Sequence, residues 1–333
     1  MLNIGIIGAG FFGEKHAQAI AALNDAQVVA ATRNDPAALT AFTQRFGGRG
    51  YSDYRVLLAD PTVDAVLIAT PHHLHTAIAI DAAQAGKHIL LEKPMAPTLA
   101  ECDQILQAVD AADVRLMVGH INQFAPTYRM AKAMIASGET GEVVHGVSTM
   151  NKLWMESNRR DWHLDRSTGG GMWLTAGMHC LDRLTWLVGS RAQSVSAQFG
   201  ARFHDQQADD VGMIFLRYAN GAVGTVISTG YRTGAPTHLT ELTCTKGMLK
   251  ISYDAGIQIG RDEHWQLIPE SVAPAMTQNW MATALIDEWR SFITAIETGS
   301  ETAVTGAYAR HVMATAFAAE ESSRLCREVD VPQ

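Results

Sequence analysis

The sequence predicts an α/β protein. An N-terminal Rossmann domain with a doubly wound parallel sheet precedes a C-terminal α+β domain with a large, open, mostly antiparallel sheet. Three observations support this fold class. Strand and helix patterns alternate over the first third of the 333 residues, a glycine-rich turn follows the first strand, and two hairpin signals lie in the second half.

Five short apolar runs in the first third predict buried strands, at Leu2–Ile7, Val28–Ala31, Ala65–Ala69, Ile89–Leu91 and Leu116–Val118. The stretches between them have helical periodicity, at Glu14–Leu23, Ala37–Phe46, His75–Ala85 and Leu99–Ala111. This alternation is typical of βαβ units, and nearly continuous apolar strands are typical of a parallel sheet covered on both faces.

The pattern changes after residue 122, where longer strand-like runs begin. Asn220-Gly221 and Lys246-Gly247 each separate two such runs, which predicts two hairpins. Helical runs at Thr283–Ile296 and Ala303–Leu325 follow. We therefore predict a dinucleotide-binding domain at 1–122 and a substrate-binding and oligomerisation domain at 123–333, whose last helix could pack back on the first domain.

Composition restricts the function. The net charge of −8 gives no basis for binding nucleic acid, and no apolar run is long enough for a membrane span. The four cysteines have neither metal-binding nor redox spacing, so we expect buried thiols and a cytoplasmic protein. The apolar run that begins at Leu2 leaves no room for a targeting peptide.

Gly8-Ala9-Gly10-Phe11-Phe12-Gly13 is a G-x-G-x-x-G between a predicted strand and a predicted helix, the context that dinucleotide binding requires. Gly8 permits the tight turn, Gly10 allows a pyrophosphate to approach, and Gly13 allows close helix–strand packing. The N–H groups at the helix start, at Phe11 and Phe12, would hold the phosphates.

The second strand ends in Thr32-Arg33-Asn34, where an acidic residue would favour NAD. The Arg33 guanidinium can pair with a 2′-phosphate, and Thr32 and Asn34 can add hydrogen bonds. We therefore predict NADP as cofactor over NAD, although the nearby Asp35 carboxylate leaves NAD open.

Two further motifs carry candidate catalytic groups. Glu92-Lys93-Pro94 follows a buried strand, at the sheet edge where α/β folds bind ligands, and a cationic nicotinamide beside Lys93 would lower the pKa of its amine. Gly169-Gly170-Gly171 precedes a helix with Thr175, His179 and Asp182 on one side. The triple glycine lets the backbone before this helix approach another group closely.

Together these motifs resemble the Gfo/Idh/MocA oxidoreductase family, over essentially the whole chain. The resemblance implies hydride transfer between nicotinamide and a carbinol carbon, with His179 as general base and Lys93 polarising the oxygen. It also implies that the loop with Thr70, Pro71 and His75 contacts the cofactor. Many relatives carry Asp where this chain has Thr175. We expect Thr175 to orient the imidazole or substrate and His179 to be less basic than in those relatives.

The loop before the triple glycine is expected to bind substrate, through stacking on Trp154 and Trp162 and through carboxylate recognition by Arg159 or Arg160. His163 and Asp182 complete the expected substrate contacts. His72, His73 and His75 lack nearby cysteine or carboxylate ligands, so we predict no metal site.

The sequence thus predicts an NAD(P)-dependent oxidoreductase for a sugar, sugar acid, cyclitol or cyclic diol, forming a homodimer or homotetramer through the C-terminal sheet. Two alternatives remain open: redox-neutral glycoside cleavage with a retained cofactor, and a non-catalytic dinucleotide sensor. The individual substrate, the direction of the reaction and the oligomer size are not determined by the sequence.

Overall fold

A computed structural model describes residues 1–155, 160–276 and 280–333, with side chains of 273–276 excluded. The chain forms two compact units. The first contains Met1–Ile121 and Met281–Arg310, and the second contains Asn122–Trp280 and His311–Gln333. The sequence assigned everything after residue 122 to the second domain, whereas residues 281–310 are part of the first unit.

The first unit contains a six-stranded parallel sheet with the order β3-β2-β1-β4-β5-β6. Its strands are β1 Leu2–Ile7, β2 Ala26–Thr32, β3 Arg49–Tyr51, β4 Ala65–Ile68, β5 His88–Glu92 and β6 Leu116–Gly119. The helices between them are α1 Phe11–Ile20, α2 Pro36–Phe46, α3 Tyr54–Leu58, α4 His75–Gln84 and α5 Leu99–Ala112. The predicted Rossmann sheet is confirmed, and the short β3 and α3 are additions to it.

The strand order explains where a ligand can bind in this unit. All four residues of β4 are buried, as expected for a central strand covered on both faces. The order reverses between β1 and β4, because the chain winds in opposite directions on either side of this pair. The carboxyl ends of β1 and β4 therefore border a crevice of the kind in which open α/β sheets bind ligands.

Helix α9, Trp280–Thr298, and the segment after it return to the first unit. The Trp289 indole donates a hydrogen bond to His16 Nδ1 over 3.0 Å. Past the helix, the Thr302 hydroxyl donates to the Leu116 carbonyl over 2.8 Å. This late segment therefore completes a domain that begins at the other end of the chain.

The second unit contains a nine-stranded, mostly antiparallel sheet with the order β14-β13-β12-β11-β7-β10-β9-β8-β15, in which only β7 and β10 pair in parallel. Its strands are β7 Val143–Leu153, β8 Ala192–Gly200, β9 Val211–Tyr218, β10 Val223–Tyr231, β11 Thr237–Cys244, β12 Gly247–Ser252, β13 Gly256–Arg261, β14 His264–Ile268 and β15 Val329–Asp330. The other helices of this unit are α6 Pro126–Ala136, α7 Met178–Val188 and α8 Pro269–Met276. Helix α10, Gly306–Leu325, begins in the first unit and belongs to the second from His311 onward.

The two faces of the second sheet differ in burial. A Cβ atom at Gly146 would lie 2.6 Å from Leu184 Cδ1, so the missing side chain lets α7 pack directly on β7. On β9, buried and exposed residues alternate, and Met213 and Phe215 are 56% and 38% exposed on the opposite face. One face is thus covered by a helix, and the other presents apolar side chains.

Candidate functional site

The turn after β1 has the geometry of a phosphate-binding loop. Gly8 adopts φ +98°, and a Cβ on Gly13 would lie 2.4 Å from the Gly8 carbonyl oxygen, so both positions require glycine. At Gly10, by contrast, no atom lies within 4 Å of the position of a Cβ. Gly10 therefore leaves open space at the start of α1, where free N–H groups can hold an anion.

The end of β2 places charged groups beside this turn. The Arg33 guanidinium donates to the Ala9 carbonyl over 2.9 Å and lies 3.5 Å from Glu14 Oε1. The Asp35 carboxylate instead accepts from the N–H groups of Ala37 and Ala38 and caps α2. Asp35 is the residue that kept NAD possible as the cofactor, and its carboxylate is thus engaged in a helix cap.

Thr32 and Asn34 flank Arg33 in different environments. Thr32 is buried, and its carbonyl accepts from the N–H groups of Gly8 and Ala9. Asn34 is exposed. Thr32 therefore shapes the turn through its backbone, and only Asn34 presents its side chain to solvent.

The loop after β4 contains an unsatisfied hydroxyl. Thr70 Oγ1 is buried and has no hydrogen-bond partner among the described residues. Its Cγ2 would lie 3.1 Å from a Cβ at Gly8, which places Thr70 beside the phosphate turn. A buried hydroxyl without a partner is costly, so the open crevice and Thr70 fit a polar ligand such as a dinucleotide.

His75 has a different role from the one predicted. Its side chain is fully buried, with Nδ1 2.9 Å from the Pro94 carbonyl oxygen and Nε2 3.0 Å from the Thr70 carbonyl oxygen. Burial lowers the pKa of His75. The predicted direct contact with cofactor does not fit this environment, because the ring joins two loops inside the unit.

Glu92-Lys93-Pro94 forms a turn at the carboxyl end of β5. Glu92 is buried, and its Oε1 lies 3.0 Å from His16 Nε2. The Lys93 N–H donates to Glu92 Oε2 over 3.2 Å, and the Lys93 residue is partly exposed. Lys93 thus stands at the edge of the sheet, on a backbone fixed by buried neighbours.

In the second unit, the helix after the triple glycine is not a single α-helix. Trp173–Gly177 forms a π-helical turn, and α7 begins only at Met178. Thr175 lies in the π turn, where its hydroxyl donates to the Gly169 carbonyl over 3.4 Å, and His179 lies in the first α turn. Thr175 is buried and His179 is partly exposed. Such π turns often occur at functional sites.

Two amides hold the helix of His179. The Asn122 amide donates to the His179 carbonyl over 3.3 Å, and the Gln123 amide donates to Asp182 Oδ1 over 2.7 Å. Asp182 is fully buried, so the substrate contact predicted for it does not fit. The contribution of Asn122 and Gln123 to the position of α7 emerges only from the fold.

Asp209 is a site residue that the sequence did not indicate. Its Oδ2 accepts from the Trp173 N–H over 2.9 Å, at the start of the π turn. Burial raises the pKa of Asp209 to about 8, and Glu320 adds to the increase. A Cβ at Gly171 would lie 2.6 Å from Asp209 Oδ1. The sequence predicted that the triple glycine approaches another group closely, and at Gly171 this group is the Asp209 carboxylate.

The loop predicted to bind substrate is only partly available. Trp154 is fully buried and donates to Gln206 Oε1 over 2.8 Å, so the predicted stacking on its face does not fit. Trp162 stacks on the buried His163 with ring centroids 3.6 Å apart, which leaves His163 unsuited to substrate contact. Arg160 is exposed, and Arg159 lies outside the described residues.

The described residues contain neither a metal-binding cluster nor a helix that could span a membrane. Within residues 1–155, 160–276 and 280–333, no group of three or more His, Cys, Asp or Glu side chains is arranged to hold a metal ion. In the same ranges no helix is long and apolar enough to cross a membrane.

Comparison with known proteins gives consistent matches. The family model described as the Gfo/Idh/MocA oxidoreductase family with an NAD-binding Rossmann fold matches residues 2–120. The model of the Gfo/Idh/MocA C-terminal domain matches residues 128–250. These matches confirm the resemblance that the motifs indicated.

Individual relatives extend this similarity. Levoglucosan dehydrogenase of Pseudarthrobacter phenanthrenivorans is 31% identical over 291 residues, which cover 76% of this chain and 74% of that protein. The 2,7-anhydro-N-acetylneuraminate hydratase of Mediterraneibacter gnavus is 28% identical, covering 80% of this chain and 72% of that protein. A structure of levoglucosan dehydrogenase with NADH and levoglucosan matches with a TM-score of 0.90 and 28% identity, covering 100% of both chains.

Alanine at Gly10 and at Gly13 will separate ligand binding from folding. Gly10→Ala should leave the thermal midpoint unchanged, because the added methyl enters open space, and should weaken NADH binding at least about tenfold. Gly13→Ala should lower the free energy of unfolding by about 1–3 kcal/mol, because the methyl collides with the Gly8 carbonyl. Thermal denaturation and NADH fluorescence titration measure both. Unchanged NADH affinity in Gly10→Ala would contradict the assigned phosphate site.

Proposed function

We propose that this chain, which belongs to the Gfo/Idh/MocA oxidoreductase family, transfers a hydride between a nicotinamide cofactor and a carbinol or ketone carbon of a sugar, sugar acid, cyclitol or cyclic diol. The observation that carries the proposal is the open space at Gly10, at the carboxyl end of the sheet on which Lys93 also stands. The similarity to dehydrogenases of sugars supports the substrate class.

The residues of the first unit fit a dinucleotide. The N–H groups at the start of α1 would bind the pyrophosphate, and the unsatisfied Thr70 hydroxyl would bind a polar group of the cofactor. When bound, the nicotinamide supplies or accepts the hydride. The protein's own contribution is to hold the reacting carbinol and to move its proton.

We assign the proton chemistry to Lys93 and His179. In the oxidation direction, His179 accepts the hydroxyl proton while the Lys93 ammonium stabilises the negative charge that develops on the oxygen. In the reduction direction, the same two groups return the proton to the alkoxide. Thr175 has no carboxylate that could pair with a charged His179, and the neutral imidazole is the form that acts as a base.

Replacing Lys93 by Met tests this assignment. Lys93→Met should lower turnover by about 10²–10⁴-fold, because the oxyanion loses its cation, whereas NADH affinity should change little. Turnover is followed as the absorbance of NAD(P)H with a panel of sugars, sugar acids, cyclitols and dihydrodiols. Lys246→Met, at an exposed hairpin of the second unit, is the matched control and should leave turnover unchanged.

Three outcomes would redirect the proposal. Unchanged turnover in Lys93→Met would remove this residue from the mechanism. Cofactor that co-purifies and never exchanges, with no net change of absorbance, would favour redox-neutral chemistry. The hydratase among the relatives has a name that fits such chemistry. Dinucleotide binding without turnover of any compound in the panel would favour a sensor.

The preference for the 2′-phosphate is also a proposal. NAD(H) binding is supported by the family and by the NADH complex of a similar structure. We propose that NADP binds more tightly, because Arg33 stands at the end of β2 and Asp35 is engaged in capping α2. Glu14, 3.5 Å from the Arg33 guanidinium, opposes this preference through its negative charge.

Arg33→Asp should therefore exchange the two cofactors. NADPH affinity should fall by about tenfold to a hundredfold, since a charged hydrogen bond is lost and a like charge is introduced, and NADH affinity should hold or rise. Fluorescence titration with each reduced cofactor measures the ratio. Arg49→Asp, at an exposed position of β3 on the same sheet, controls for net charge. An equal loss of affinity for NADPH and NADH in Arg33→Asp would contradict a contact of Arg33 with the 2′-phosphate.

We propose that the exposed face of the second sheet binds a second copy of the chain. Direct cross-strand pairs form an unbroken row from Phe215 to Leu267, and Met213, Met248 and Trp265 stand on the same face. Between its apolar ends the row passes through polar residues, among them the ion pair of Glu241 and Lys250. Exposed apolar side chains beside such polar groups are typical of a self-association site. We also propose a cytoplasmic location, because the cysteines are free thiols and three of the four are buried.

Phe215→Glu should dissociate this homodimer or homotetramer, because a charge would be desolvated in the interface. Sedimentation velocity should show a shift from oligomer to monomer, with unchanged thermal stability of the monomer. Val56→Glu introduces the same charge at an exposed apolar residue of the first unit and should leave the oligomer intact. A monomeric unsubstituted protein would exclude this interface.

A further inference from the structure

Two buried histidines contact the turn that carries Lys93, one at each end. His16 is on α1 and contacts the Glu92 carboxylate, and His75 is at the start of α4 and contacts the Pro94 carbonyl. Both rings are fully buried, so neither can touch a substrate or cofactor directly. Their common feature is that each lies against a neighbour of Lys93 in the chain.

The hydrogen bonds determine which nitrogen of His16 carries the proton. The Trp289 indole has only a donor, so His16 Nδ1 must accept that bond over 3.0 Å. The proton of the neutral ring is therefore on Nε2, from which it is donated to Glu92 Oε1. Glu92 then accepts the Lys93 N–H through its other oxygen. A chain of bonds thus runs from Trp289 through His16 and Glu92 to the Lys93 backbone.

His75 holds the other end of the turn. Its ring lies between the carbonyl oxygens of Pro94 and Thr70, 2.9 Å and 3.0 Å from its two nitrogens. A neutral ring has one N–H and donates to only one of these carbonyls, but it packs against both the Lys93 turn and the loop that holds the unsatisfied Thr70 hydroxyl. The backbone on both sides of Lys93 is therefore fixed by side chains from other elements.

We propose that His16 and His75 are positioning residues that hold the Lys93 turn, with the tautomer of His16 set by Trp289. This inference rests on the proposed function, in which Lys93 stabilises charge on the substrate oxygen. A displacement of a catalytic group by about 1 Å can lower a rate by about a hundredfold, so a loosened turn is expected to affect turnover without affecting binding.

Substitutions at His16 test the proposal directly. Asn is too short to reach Glu92, whereas the carboxamide nitrogen of Gln can take the place of Nε2. His16→Asn should lower kcat by about tenfold to a hundredfold, leave KM and the NADH dissociation constant within about twofold, and accelerate hydrogen exchange of the Lys93 amide. His16→Gln should restore most of the kcat and most of the slow hydrogen exchange of the Lys93 amide. His88→Asn, which removes a ring bonded to the Arg115 N–H at the opposite end of β5, is the matched control.

Two measurements do not depend on turnover. Nitrogen-15 spectra of the unsubstituted protein should show His16 protonated at Nε2, and Trp289→Phe should abolish this single tautomer. A ring protonated at Nδ1, or unchanged Lys93 amide exchange in His16→Asn, would overturn the proposal. Faster exchange with unchanged kcat would overturn it as well when Lys93→Met is inactive. If Lys93→Met is itself fully active, the proposed function of Lys93 fails instead. In that case His16→Asn should still accelerate hydrogen exchange of the Lys93 amide, without an effect on kcat.

Discussion

The close approach of the Gly8 backbone to strand β4 is the constraint on which the site of the first unit depends. A Cβ at Gly8 would lie 2.4 Å from the Ala69 carbonyl oxygen, so no other residue permits this contact. Because the carboxyl ends of β1 and β4 are so close, Thr70 lies beside the glycine turn. In the loop of Thr70, the His75 ring lies between the Thr70 and Pro94 carbonyl oxygens. A backbone contact thus sets the arrangement of both ligand-facing loops.

Local patterns predicted the first unit well, for physical reasons. Its central strands are buried on both faces and read as continuous apolar runs, and Leu2–Ile7 is a strand at the bounds expected. The three-residue β3 and the five-residue α3 are too short to show a period. The sequence allowed for a return of the last helix but not of α9, because an apolar helix face indicates burial but not against which domain.

Residue type and spacing predicted only part of the candidate site. The functions of the glycines in the turn after β1 could be deduced from the motif, because they depend on backbone geometry. Trp154 was predicted to bind substrate because its ring suits stacking, and His75 was predicted to contact the cofactor because of the family resemblance, yet tertiary packing buries both. Asp209 is one of several acidic residues in a loop without a recognisable motif, and only the fold brings it to the start of the helix of His179. In the second unit, amide and carboxylate groups outside the motif therefore determine the position of the motif.

The division of the first unit between residues 1–121 and 281–310 has a consequence for synthesis. The six strands of its sheet leave the ribosome early, but the partner of His16, Trp289, is translated only after most of the second unit. During that interval the interior around His16 and Leu116 lacks its late segment. Domains generally fold in the order of their synthesis. Here the first domain cannot be completed until most of the second has been synthesised, so the order of synthesis and the order of completion differ.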